Sequence, residues 1–60
     1  MKPGENVRVY EDPIDELVFE GIARIVRIHK ETDEYIRADV VFLADGIDGM
    51  EVYRTIYKNE

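Results

Sequence analysis

The stretch VFEGIARIVRIHK, Val18 to Lys30, decides what kind of fold this chain adopts. Its large apolar residues are Val18, Phe19, Ile22, Ile25, Val26 and Ile28, mostly β-branched, and such a composition favours strand over helix. The alternation along it is broken. Ile22, Val26 and Ile28 share a parity with Arg24, whereas Ala23 and Ile25 share the other with Arg27, so one flat strand would turn a cation into the core on either face. An extra residue near Arg24 to Val26 removes the conflict, because a β-bulge switches the parity that faces inward and bends the strand. Bends of this type are how small sheets close into barrels.

Both flanks agree with that reading. On the N-terminal side Lys2-Pro3-Gly4 opens as a turn, and Asn6 to Tyr10 alternates with period two, which predicts a half-buried strand with Val7 and Val9 facing the core. Asp12-Pro13 then ends the strand, and the acidic segment through Glu16 forms a loop or one helical turn. On the C-terminal side Glu31-Thr32-Asp33-Glu34 is a polar turn. Tyr35 to Leu43 follows as a strand with Ile36, Ala38, Val40 and Phe42 on one face and Arg37 and Asp39 on the wet one. Ala44 to Gly49 contains two Asp-Gly pairs, each suited to the positive φ of a tight hairpin turn. Met50 to Tyr57 is a fourth strand, either continuous or broken near Arg54 or Thr55 so that Ile56 and Tyr57 form a short fifth, and Lys58-Asn59-Glu60 is expected to fray. Phe19 and Phe42 are expected in the core, where aromatic burial dominates small folds. The pattern predicts one all-β domain over residues 1–60, a small barrel of four or five antiparallel strands.

Composition sets limits on function. Sixty residues hold one small core, and with no Cys and a single His, neither disulfides nor a metal cage supports it. No apolar run approaches the roughly 20 residues of a membrane helix, and the first five residues lack the apolar stretch of a secretory signal, so the expected location is cytoplasmic. The net charge of −6 opposes nonspecific attraction to phosphate backbones. That charge is uneven: residues 1–20 carry six acids and two bases, 21–30 no acid and three bases, 31–49 six acids and one base.

The chain resembles the Src-homology-3-like (SH3-like) barrels along most of its length. Lys2-Pro3-Gly4-Glu5-Asn6-Val7-Arg8-Val9 is similar to the Pro-Gly-x-x-Val-x-Val opening of many such domains, including those with the KOW motif. Gly21 to Ile28 resembles the body of that motif, with Ile25 and Ile28 at its apolar positions, although its usual glycine would fall on Ala23. Val-Tyr-Glu-Asp-Pro at 9–13, Phe-Glu-Gly at 19–21, Val-Val-Phe-Leu at 40–43 and Glu-Val-Tyr-Arg at 51–54 also resemble short uncharacterised barrel proteins of phage and prophage regions. That second resemblance implies a fold and an origin in mobile DNA, but no activity.

Three functional readings follow. The first is a non-catalytic protein-binding or assembly module. The acidic loop Glu11-Asp12-Pro13-Ile14-Asp15-Glu16 falls where SH3 domains keep an acidic loop, and Tyr10, Glu11, Asp12, Asp15, Glu16 and Tyr53 form the expected contact surface for a protein partner. The missing Trp argues against proline-rich ligands, and a second copy of the chain could instead pair along exposed strand edges. The second reading is a KOW-like nucleic-acid-binding barrel that uses Arg24, Arg27, Lys30 and Arg37, with Tyr35 or Tyr53 as a stacking surface. Its simpler counterpart is charge balance, in which these cations pair with Glu20, Asp39 or Glu51 on neighbouring strands. The third reading is an acidic imitation of DNA, which requires acids spaced like phosphates along one face. Catalysis is not expected: His29 lacks a nucleophile beside it, and the chain has no Ser or Cys. No metal or cofactor is expected either, since Asp45, Asp48 and Glu51 miss the spacing of a calcium loop.

Overall fold

A computed structural model describes residues 1–11 and 18–58. Within them the chain forms β1 (Asn6–Tyr10), β2 (Phe19–Glu31), β3 (Tyr35–Phe42), a 3-10 segment (Leu43–Asp48) and β4 (Val52–Tyr57). The strands make one antiparallel sheet in the order β1-β2-β3-β4. This all-β sheet curls into a half-barrel in which the edge strands β1 and β4 approach each other without pairing.

The parity conflict in β2 is resolved by bulges. Register against β3 shifts between Ile25 and Arg27, leaving Val26 without a Cα partner, and again between Ile28 and Lys30, leaving out His29. Ala23 and Ile25 therefore face inward before the first bulge and Ile28 after it, while Arg27 is turned to solvent. A third shift lies between Val9 and Tyr10 of β1. There Gly21, with φ 148°, lies opposite Val9, and a Cβ on it would stand 3.3 Å from the Phe42 ring. Only glycine meets both conditions without strain.

Val9, Ala23, Ile25, Ile36, Ala38, Val40 and Ile56 form the core, with Val7, Ile28 and Phe42 packed partly against it. Among the described residues no polar side chain is buried. Val41 breaks the alternation of β3, being buried although it points to the outer face. Gly49 explains this: a Cβ there would lie 3.1 Å from Val41 Cγ1 and 2.8 Å from Asp45 Cβ, so the chain after the 3-10 segment lies directly on Val41.

Several expectations need correction. Phe19 is not in the core but 53% exposed, and Phe42 is only half-buried. The Asp-Gly pairs do not make tight hairpin turns. They lie in the 3-10 segment and at its end, where Gly46 has φ 73° but Gly49 has φ −65°. Leu43 belongs to that segment rather than to β3, and β4 starts at Val52 and runs unbroken to Tyr57, so the described residues contain no fifth strand. Lys58 does not fray: its backbone N–H donates to Glu34 O at 2.8 Å and its Nζ to Glu31 Oε2 at 2.7 Å.

Candidate functional site

Two surfaces carry the residues that the sequence singles out. The first lies where β1 ends and β2 begins. Tyr10 and Phe19 are cross-strand partners with ring centroids 5.4 Å apart, a tilted pair. Phe19 stays half-exposed because it belongs to the last cross-strand pair there, beyond the Gly21 bulge and outside the core. Val18 (50%), Ile22 (38%) and Leu43 (41%) are also exposed. Ile22, Phe42 and Leu43 line an open groove with Gly21 and Ala44, and Glu20 and Asp45 supply its acids. Exposed apolar side chains flanked by polar groups mark interaction surfaces. Glu11 continues from Tyr10, its backbone N–H bonded to Val18 O at 2.7 Å. Asp12, Asp15 and Glu16 lie outside the described residues.

Glu20 also serves the fold. Arg54 Nε and Nη2 donate to its two carboxylate oxygens at 3.0 and 3.3 Å, and Arg54 Nη1 donates to Tyr53 O at 3.0 Å. Arg54 lies opposite the buried Ala38, so its side chain leaves the inner face and spans the open side of the half-barrel from β4 to β2. A two-pronged Arg–carboxylate contact suits that task because its planar geometry fixes orientation as well as distance.

The second surface is the outer face of β2, β3 and β4. Pairing register places its side chains in rows across the sheet: Tyr35 beside Tyr57, then Lys30–Arg37–Thr55, then Arg27–Asp39–Tyr53. In the last row Arg27 Nη1 donates to Asp39 Oδ2 at 2.9 Å and to Glu51 Oε1 at 3.0 Å. His29 Nε2 lies 2.9 Å from the same Asp39 oxygen, and Tyr53 packs on the His29 ring at 5.6 Å. These bonds perturb the charged groups. The Glu51 hydrogen bond, followed by that of Asp39, raises the Arg27 guanidinium above its ordinary value. The His29 hydrogen bond, aided by Arg27, holds the Asp39 carboxyl below the usual carboxylate range. Lys58 lowers Glu31 in the same way.

The predicted sets are only partly brought together. Tyr53 is separated from Tyr10 by the register: it lies opposite Asp39 and packs on His29, whereas Tyr10 packs on Phe19. Of the basic residues, Arg27 is balanced by Asp39 and Glu51, as the charge-balance reading expects, but Glu20 is taken by Arg54 rather than by a cation of β2. Arg24 lies opposite Asn6 and Val41, and neither it nor Lys30 nor Arg37 has an ion-pair partner among the described residues. Sequence reasoning missed the exposure of Phe19, Ile22 and Leu43 and the clasp made by Arg54. Ala23, where the glycine of a KOW motif would fall, is fully buried.

Comparison with known proteins adds no family. No family model matches the chain, and neither a curated protein nor a solved structure matches it. Among the described residues there is no group of His, Cys, Asp and Glu arranged to hold a metal, and no helix is long and apolar enough to cross a membrane.

Proposed function

We propose that the protein is a non-catalytic binding or assembly module that docks a basic, partly apolar segment of a partner protein at the Tyr10–Phe19 end of the half-barrel. One observation carries this reading: Phe19, Val18, Ile22 and Leu43 stay exposed, and Val18 and Phe19 closely follow an acidic stretch in the sequence. Residues 11–16 contain four acids and no base, and Asp45 lies on the groove. The apolar side chains would supply contact area, and the acids would select a cationic partner and speed its encounter. Tyr10, Glu11, Asp12, Asp15 and Glu16 remain the proposed contact set, to which Phe19, Ile22 and Leu43 are added. Tyr53 is placed on the other surface. A cytoplasmic location and an origin in phage or prophage DNA accompany this reading and rest on the sequence alone.

A direct test titrates the labelled protein with synthetic peptides that alternate Arg and Leu, using Glu-Leu peptides as the control. Binding of the Arg-Leu peptide, with amide shifts at Tyr10, Glu11, Phe19 and Ile22, is the expected result. Phe19→Ser should weaken it about tenfold, the effect of losing one anchoring aromatic. The same change should leave the melting temperature near that of the parent, because the ring is half-exposed. Equal affinity for the acidic peptide, or unchanged affinity after charge reversal at Asp12, Asp15 and Glu16, would refute the reading.

A further inference from the structure

Charge balance accounts for Arg27 but leaves two neighbouring cations unexplained. Lys30 and Arg37 are direct Cα partners on β2 and β3, with the bulge at His29 setting that register. Like charges placed directly opposite repel and destabilise a sheet. Among the described residues no carboxylate pairs with either of them. Asp39, next along β3, is engaged by Arg27 and His29, and Glu31, next along β2, is engaged by Lys58. Both cations are held instead against one aromatic ring: Lys30 Nζ is 5.9 Å and Arg37 Cζ 5.2 Å from the centroid of Tyr35, which itself packs on Tyr57 at 5.5 Å. A cation steadied by an aromatic face keeps its N–H donors for another acceptor.

We infer that Lys30, Arg37 and Thr55, one row across β2, β3 and β4 with Tyr35 as its floor, form a binding site for a phosphate group. The row contains an ammonium, a guanidinium and a hydroxyl, the donors that phosphate recognition uses, and no acid. A phosphate oxygen between Lys30 and Arg37 would turn their repulsion into two charge-assisted hydrogen bonds. Both side chains are exposed, so the ligand approaches from solvent over the sheet face. The site lies on a different surface from the Tyr10–Phe19 end and takes a ligand of opposite charge, so it stands or falls independently of the docking proposal.

Phosphate of this kind reaches a protein either as a small phosphorylated molecule or as the backbone of a nucleic acid. The test therefore uses two probes at low salt, inorganic pyrophosphate and a twelve-nucleotide single-stranded DNA, each followed by amide NMR. Saturable shifts at Lys30, Tyr35, Arg37 and Thr55 with either probe support the site. Pyrophosphate binding as tight as that of DNA would identify a small-molecule site, whereas much tighter DNA binding that falls steeply with salt would identify a backbone site. Lys30→Gln and Arg37→Gln should each reduce affinity about tenfold, the loss of one charge-assisted hydrogen bond. Arg24→Gln, altering a cation outside the row, should change it little. Absence of shifts in the row with both probes, or equal losses from all three substitutions, would overturn the inference.

Discussion

Replacing Ile25 and Val26 separately by Ala tests the bulge on which the fold depends. Ile25 is 1% exposed at the centre of the core, so Ile25→Ala removes three buried carbons, worth roughly 2.4 kcal/mol at about 0.8 kcal/mol each. The cavity left between Ala23, Val40 and their neighbours raises the cost to about 3 to 4 kcal/mol, within the usual range for such changes. Val26 is half-buried at the bulge, and Val26→Ala should cost below about 1 kcal/mol. A domain of 60 residues holds only roughly 3 to 9 kcal/mol in total, so Ile25→Ala should lower the urea midpoint severely and leave a large unfolded fraction in water. Urea melts followed by tyrosine fluorescence and circular dichroism measure both variants. Equal costs for the two substitutions, or a larger one for Val26, would mean that Ile25 does not face the core with Val26 left out at a bulge.

Two further outcomes follow from backbone and charge. Gly21→Ala forces a Cβ onto a residue with φ 148° and sets it 3.3 Å from Phe42, so it should cost about 1 to 3 kcal/mol. Gly4→Ala, with φ 94° and open space around it, carries backbone strain alone and should cost less in the same melt. Acidification should destabilise the fold. Asp39 and Glu31 have carboxyls lowered by folding, so their contribution is present at neutral pH and is lost as pH falls through the carboxylate range. Asp39→Asn should flatten the fall in urea midpoint between about pH 7 and about pH 3, and a midpoint that rises on acidification would contradict the assigned bonds.

Much of the sheet was legible in the sequence because burial on one face imposes period two. Asn6 to Tyr10 and Tyr35 to Phe42 show it directly, and the bulge in β2 was readable from the clash between apolar and cationic parities. What remained hidden depends on contacts distant in sequence. Phe19 reads as core from its neighbours, yet the strand end that carries it projects beyond the residues that would cover it. Gly49 reads as a turn residue, but it is needed because Asp45 Cβ and Val41 Cγ1 leave no room for a side chain. At the sites, the pairing of Arg27 with Asp39 follows from opposite charges on adjacent strands, and Glu51 joins it from just before β4. The meeting of Lys30 with Arg37 does not, since it depends on a second bulge at His29, and a slip of one residue would have sent them to opposite faces.

The sheet order repeats the chain order, which has a consequence for how the molecule forms. Each strand pairs with its neighbour in sequence, so the three hairpins can close as short loops, a topology associated with rapid folding among β proteins. The contact between Glu20 and Arg54 joins groups 34 residues apart and requires the β2–β3 and β3–β4 hairpins to be in place. It should assemble after them on the way in and be the first to part when the protein breathes, so β4 swings away from the start of β2 before any hairpin is lost.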